Sequence, residues 1–400
     1  MIIQYKLEQF KESDKDFFCD MISYISPFIQ KSVRSSDAVD IYCCEQNESD
    51  VRESIKKLED MITGGRFSDK DVSIKTIDDH TDNVPMNNEP IFQDMKDKGY
   101  VKEICSGVFA YSSLFLAVMR YFDRKIDEFG KAEFKKVTEY TFPVLYPVKD
   151  YEKGKYFETF PHHIMFQTKM KNDISILERF AKNGIHDETI LEEMAVPKNV
   201  LRHAACVPVY SILENQTIYN GNEACFLISG KCFRNEADNV FELARLNEFY
   251  MKEYVFAGSP EYCNDSIENA KNLWRYWTDV FGLRCKTDTA NDSFFASNYK
   301  KLKLFQILGD SKQEFKIQLP SSDTYVACSS ANHHRTHFSK PYNIKGEDGA
   351  YCYTACFAVG VERLSYTLLS QKGLDVSKWD KATVDEMKKY VNLDEFIQEA

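Results

Sequence analysis

The chain has 400 residues, 43% of them hydrophobic and 28% charged, which suits one large globular catalytic domain with an appendage. A net charge of −11 argues against broad nonspecific binding to nucleic acid, although "KAEFKKV" (131–137) and "NYKKLKLF" (298–305) are local basic patches. There is no apolar run long enough for a membrane span, the opening "MIIQYKLEQFKESDKDFF" lacks the pattern of a secretion signal, and twelve scattered cysteines fit a reducing cytoplasm.

In chain order, "DAVDIYCCE" (37–45) alternates as a strand, "DVRESIKKLEDMI" (50–62) as an amphipathic helix and "DVSIKTID" (71–78) as a second strand. Residues 1–85 are therefore expected to form a small α/β appendage, to which the sequence assigns no role and which has no sustained heptads. The polar stretch "DDHTDNVPMNNEP" (78–90), with its two prolines, reads as a linker into a catalytic domain over 86–400. Leu114, Val118, Met119, Phe122, Ile126 and Phe129 then form one apolar helical stripe. Pro143 and Pro147 break any helix and favour an extended edge segment. Further helices are expected over 172–185, 188–194 and 266–283, and strands over 224–233, 248–256, 314–319, 324–329 and 350–357. Strands mixed with helices, without strict βαβ alternation, predict an α+β domain on an antiparallel sheet. Neither GxxxxGK[ST] nor a GxGxxG following a strand is present, so a nucleotide would be held in another way.

The segment "KCFRNEADNVFELARLNEFYMKEYV" (231–255) carries that other way. Alternation on a strand puts Cys232, Arg234 and Glu236 on one face, and Arg245, Phe249, Met251 and Glu253 on the returning strand, with "ADNVFEL" (237–243) as the loop. Arginine forks suit phosphate or carboxylate, an aromatic face stacks on a flat heterocycle, and a glutamate accepts from an exocyclic amine. The plain alternative is a solvated face with surface ion pairs. "GAYCYTACFAVGVERLSYTLL" (349–369) shifts the balance: an apolar strand ends at Gly360, and Arg363 sits in the first turn of a helix. The positive end of the helix dipole gives a cation nothing there, so Arg363 is expected to reach an anionic ligand.

"FRNE" followed by "RLNEFYMKE" resembles motif 2 of the class II aminoacyl-tRNA synthetases, and "AVGVER" resembles motif 3, with Ala358 in place of its first glycine. The Pro143 region resembles motif 1, the dimer interface. Over 89–374 the chain is most similar to the seryl-type amino acid:[carrier protein] ligases, through "FPHH", "AACVPVY", "FRNEADN", "NDSFF" and "ANHHRTHF". Zinc-dependent seryl-tRNA synthetases share much of this pattern. The resemblance implies a class II catalytic domain on an antiparallel sheet flanked by helices. It implies that Arg234 holds the ATP α-phosphate, Arg363 the γ-phosphate and Arg245 the bent triphosphate. Glu236 would accept from the adenine amino group, Phe249 would stack on adenine, and Asn332 would meet ATP or the amino acid.

The resemblance also implies zinc on Cys206, Glu253 and Cys356, with an open position for the substrate amine. Cys328 and Cys352 lie nearby in sequence as decoys. The paired histidines His162, His163, His333 and His334 are expected in loops, as surface or hydrogen-bonding residues. Where the synthetases carry a Mg²⁺-binding glutamate this chain has Val326; Asp323 is the nearest acid, and the Mg²⁺ ligand stays open. The implied activity is ATP-dependent activation of glycine, alanine or serine, then transfer to the phosphopantetheine thiol of a carrier protein, by a cytoplasmic homodimer. The acidity and the missing coiled-coil arm place tRNA behind the carrier protein as acceptor. The alternatives are a zinc-dependent seryl-type tRNA synthetase and a non-catalytic regulatory paralogue.

Overall fold

A computed structural model describes residues 1–35, 37–63, 74–186, 188–290 and 311–397. Its centre is an eight-stranded sheet in the order Thr76–Asp79, Cys285–Thr289, Lys312–Leu319, Thr324–Arg335, Tyr353–Gly360, Glu248–Gly258, Ala224–Phe233, Val137–Thr141. Neighbours run antiparallel except the last pair, where Val137–Thr141 lies parallel to Ala224–Phe233. The pleat sorts each central strand into two faces. Cys225, Leu227, Tyr254, Phe256, Phe357 and Val359 join a core with the helices Ser113–Glu133, Pro260–Phe281 and Val361–Lys372. Phe226, Ile228, Cys232, Val255, Ala257 and Cys356 face a second core, with Tyr146, Tyr151, Tyr210 and Phe338.

Local chemistry sets the helix limits. Ser259 caps Pro260–Phe281 by accepting from the Tyr262 amide, and Pro260 starts it where a missing N–H costs nothing. Gly282, left-handed at φ 55°, ends it. This helix starts six residues before the expected 266, because its first turn is polar and hides the apolar period.

Residues near the N-terminus make their own three-stranded antiparallel sheet, ordered Ile2–Lys6, Ala38–Cys43, Ile29–Arg34, under the helices Glu12–Ile22 and Glu48–Thr63. Leu7, Phe18, Ile22, Ile41, Val51 and Ile62 are fully buried in its separate core. The stretch 78–90 is not a free linker. Thr76–Asp79 is an edge strand of the main sheet, Asn83 donates to the Leu283 carbonyl at 2.8 Å and Asn87 to that of Ser370 at 2.9 Å. The polar side chains that read as linker composition instead satisfy main-chain carbonyls. The expected helix at 188–194 is a 3₁₀ segment, Glu188–Glu193. The strand Thr324–Arg335 runs six residues past its expected end, so His333 and His334 sit in the sheet and not in a loop. "NDSFF" and "NYKKLKLF" lie outside the described residues. No described helix is long and apolar enough to cross a membrane.

Candidate active site

A cavity of about 950 Å³ opens on the sheet face turned away from the three helices. Arg234, Glu236, Arg245, Phe249, Asn332, Arg363, Cys206, Glu253 and Cys356 all line it. The alternation of Glu248–Gly258 brings Phe249, Met251 and Glu253 to the same wall. Arg234 and Glu236 stand just past the end of Ala224–Phe233, and Arg245 sits in the loop before Glu248, held by a bridge to Phe241; none of the three is within a strand.

At this end of the cavity the cations are already aimed. The Arg234 guanidinium lies 5.2 Å from the centre of the Phe249 ring, and its Nε donates to the His203 carbonyl at 3.2 Å. Arg363 projects from the first turn of Val361–Lys372 and donates from Nη1 to the Ala327 carbonyl at 2.7 Å. Burial pulls its pKa down from the ordinary arginine value. Glu236 is buried and accepts from Arg245 Nε at 2.7 Å. Burial pushes that carboxyl up, but Arg245, His163 and Arg234 outweigh it and hold it below the usual range. Glu362, next to Arg363, also lines the cavity, and both its oxygens accept from the Tyr250 amide, at 2.9 and 2.7 Å. Burial raises it to about 7.

At the other end, ligand atoms of Cys206, Glu253 and Cys356 lie within 4.8 Å of one another, the one such group among the described residues. Sheet register explains two of them. Glu253 pairs with Ala358 and Cys356 with Val255, so the two side chains meet on a diagonal of the same face. Cys206 arrives from the cap of the helix Val207–Ile212, and the Ala205 amide donates to Glu253 Oε1 at 3.2 Å. All three are buried, and Glu253 Oε2 has no hydrogen-bond partner among the described residues. A buried carboxylate oxygen without a partner, beside two thiols, is a donor set that a cation completes. In the metal-free cluster a hydrogen bond with Cys356, burial and Glu253 push the Cys206 thiol far up, and burial raises Glu253, so both favour their neutral forms.

The two decoy cysteines separate from this cluster. Cys328 bonds to Thr367 at 3.4 Å, and Cys352 packs in the second core. His334 does not behave as a surface residue: its Nε2 is 3.6 Å from Cys356 Sγ and its Nδ1 3.2 Å from the Tyr210 hydroxyl. Asp323 is exposed, bonds to Gln318 and is absent from the cavity wall, whereas Glu314, on Lys312–Leu319 opposite Ser330, faces the cavity. Sequence reading passes over Glu314 because only strand register carries it there. It also passes over Asp20, which reaches Arg245 from the N-terminal unit at 3.0 Å.

No protein-family model matches the chain. It is 26% identical over 317 residues to amino acid–[acyl-carrier-protein] ligase 1 of Bradyrhizobium diazoefficiens, covering 77% of this chain and 93% of that one. It is 26% identical over 327 residues to the type-2 serine–tRNA ligase of Methanococcus aeolicus, covering 78% of this chain and 62% of that relative. Among solved structures, Methanopyrus kandleri SerRS in complex with A. aeolicus tRNASec superposes with a TM-score of 0.68 at 18% identity, over 97% of this chain and 77% of that one. The fold is that of the class II aminoacyl-tRNA synthetases, and the relatives divide between serine–tRNA ligases and amino acid–carrier-protein ligases. The ranking that put tRNA behind a carrier protein is overturned: the structure covering 97% of this chain is a SerRS with tRNA bound. Net charge and a missing coiled-coil arm do not rank the acceptors, since contacts to phosphate depend on local cations and not on the total.

Proposed function

We propose that the chain activates a small amino acid with ATP and passes it to an acceptor. One observation carries this: a single cavity holds Arg234, Phe249 and Arg363 together with the Cys206, Glu253, Cys356 donor set. Phe249 and Glu236 receive adenine by stacking and by hydrogen bonding, while Arg234, Arg245 and Arg363 hold the phosphates in a bent path. A carboxylate oxygen of the amino acid then bonds to the α-phosphorus, the bond to the bridging oxygen breaks, and pyrophosphate leaves with its electron pair. The nucleophile of the acceptor next adds to the acyl carbon and AMP departs. Cys206, Glu253 and Cys356 would hold Zn²⁺, which when bound takes a free amine and turns away an ammonium ion. Glu314, ion-paired with Lys312 at 3.1 Å and Lys316 at 3.7 Å, is the cavity carboxylate we assign to the Mg²⁺ that accompanies ATP, where Val326 offers no ligand. Tyr210 and Phe338, stacked at 4.0 Å beside His334, fill the space next to Cys356 and favour glycine, alanine or serine.

The acceptor that the comparisons favour is the 3′ end of a tRNA, because the likeness to a tRNA-bound SerRS extends over 97% of the chain. A carrier-protein thiol is the second reading, supported by an alignment that spans 93% of the Bradyrhizobium ligase. Amino-acid-dependent ATP–pyrophosphate exchange tests the activation. Exchange with one small amino acid is expected, and none with any amino acid would favour a regulatory paralogue. Charging of total tRNA against holo-carrier protein, with the same preparation, decides the acceptor. A cytoplasmic homodimer joined through the Pro143 region completes the reading, in keeping with twelve free cysteines and the exposed Tyr140 and Leu145.

A further inference from the structure

The N-terminal unit meets the rim of the cavity at Phe160, which packs on its core, and along the 235–245 segment. Asp20, in the last turn of Glu12–Ile22, accepts from Arg245 Nη1 at 3.0 Å through its side chain, and its carbonyl accepts from Asn239 Nδ2 at 3.2 Å. Tyr24 donates to the Asn235 carbonyl at 2.8 Å and stands edge-on to the His162 ring at 5.0 Å. All these partners but His162 belong to the 235–245 segment that frames the nucleotide end of the cavity. The last turn of a helix, where the dipole is negative, is a poor place for an acid. Asp20 has no basic residue in that turn to offset it, and it pairs with Arg245 in the other unit.

Arg245 is thus shared between two carboxylates, with Glu236 on Nε and Asp20 on Nη1. A triphosphate carries several negative charges and cannot approach this guanidinium without displacing Asp20 or being repelled by it. We propose that Asp20 is a built-in competitor for Arg245, so that docking of the N-terminal unit on the 235–245 segment and binding of the ATP triphosphate oppose one another. This rests on the reading of the cavity as an ATP site, and through it residues 1–63 set the ATP affinity of that site.

The test is ATP·Mg²⁺ titration of the full chain by calorimetry, at low and at high salt, for the wild type, Asp20→Asn and Tyr24→Phe. Asp20→Asn keeps a group able to hydrogen-bond and removes the charge. It is expected to tighten ATP about threefold to tenfold, and the gain should shrink as salt screens it. Tyr24→Phe loosens the docking without changing a charge, so it should tighten ATP by a smaller factor with an unaltered salt slope. In exchange kinetics the Asp20 variant lowers the KM for ATP and leaves that for the amino acid alone. ATP binding that is unchanged or weaker in Asp20→Asn, with a wild type that binds ATP, overturns the competitor and leaves the ATP site standing. A wild type that binds no ATP takes both down together.

Discussion

Glu253→Gln is the sharpest test of the donor cluster, because its sign reverses with the metal. The substitution keeps the shape and the bond from the Ala205 amide to Oε1 while removing the charge. Glu253 is 1% exposed, its Oε2 lacks a partner among the described residues, and burial raises its pKa. Without metal, the wild type therefore bears the cost of a buried carboxyl that the Ala205 amide and the Cys206 thiol only partly offset, and the neutral amide of the variant relieves it. Metal-free Glu253→Gln is expected to be more stable than the metal-free wild type by about 1 kcal/mol. With zinc the order inverts. A metal present at about 100 times its Kd stabilises the folded wild type by about 2.7 kcal/mol, which for a chain of this size is about 3 °C in Tm. The variant, left with two thiolates, should lose most of that increment. Thermal melts of both proteins after chelation and after adding back Zn²⁺, with metal content by mass spectrometry, give the four numbers needed. A wild-type Tm indifferent to metal, or an equal metal-induced shift in both proteins, would refute the assignment.

Arg363→Lys retains a charge but loses the fork that both holds the Ala327 carbonyl and faces the cavity; pyrophosphate exchange should fall about 10²- to 10³-fold with little change in Tm. Glu362 titrates at about 7 in the folded chain against an ordinary 4.5, so its contribution to stability is fully present below about 4.5 and is lost as pH rises through about 7. That loss is about 3 kcal/mol, and urea melts across this window should show a shallower pH slope in Glu362→Gln. Gly230 holds φ 142° with the Arg202 guanidinium where a Cβ would stand; Gly230→Ala should cost about 3 kcal/mol or more in denaturant melts, and a neutral outcome would mean that Arg202 moves freely.

Strand parity makes much of this site legible, since a period of two residues states which side chains share a face before any partner is known. Phe249, Met251 and Glu253 follow from it directly, and so does the separation of Cys356 from Phe357. What stays hidden depends on which strands lie side by side. Glu314 meets the cavity only because Lys312–Leu319 pairs with Thr324–Arg335 so that Glu314 stands opposite Ser330. His334 reads as a loop residue because "ANHHR" has the polarity of a turn, yet the strand runs on to Arg335. Asp20 is beyond the reach of sequence reading, since 225 residues separate it from Arg245. The polar composition of 78–90 misleads in the opposite direction, because side-chain amides that bind distant carbonyls look like solvated ones.

The same register orders the two ends of the cavity. On Glu248–Gly258, Phe249 and Glu253 lie four residues apart on one face, about 13 Å at the strand rise. On the antiparallel neighbour, Cys356 and Gly360 are also four apart, with Cys356 beside Val255 and Gly360 beside Met251. Both strands therefore carry a residue of the Cys206, Glu253, Cys356 cluster at one end and lead toward the Phe249 and Arg363 end of the cavity at the other, and they do so in the same direction across the sheet. Arg363, one turn beyond Gly360, lands at the Phe249 end for that reason. An aminoacyl adenylate has its amine at one extreme and its adenine at the other, with the phosphate between. A shift of one residue in this pairing would turn Cys356 into the helix-side core and dissolve the donor set while leaving every motif in the sequence intact. Under the proposed function the motifs alone would not set this arrangement; the 251–360 pairing is what would place the amine and the nucleotide at opposite ends of one cavity.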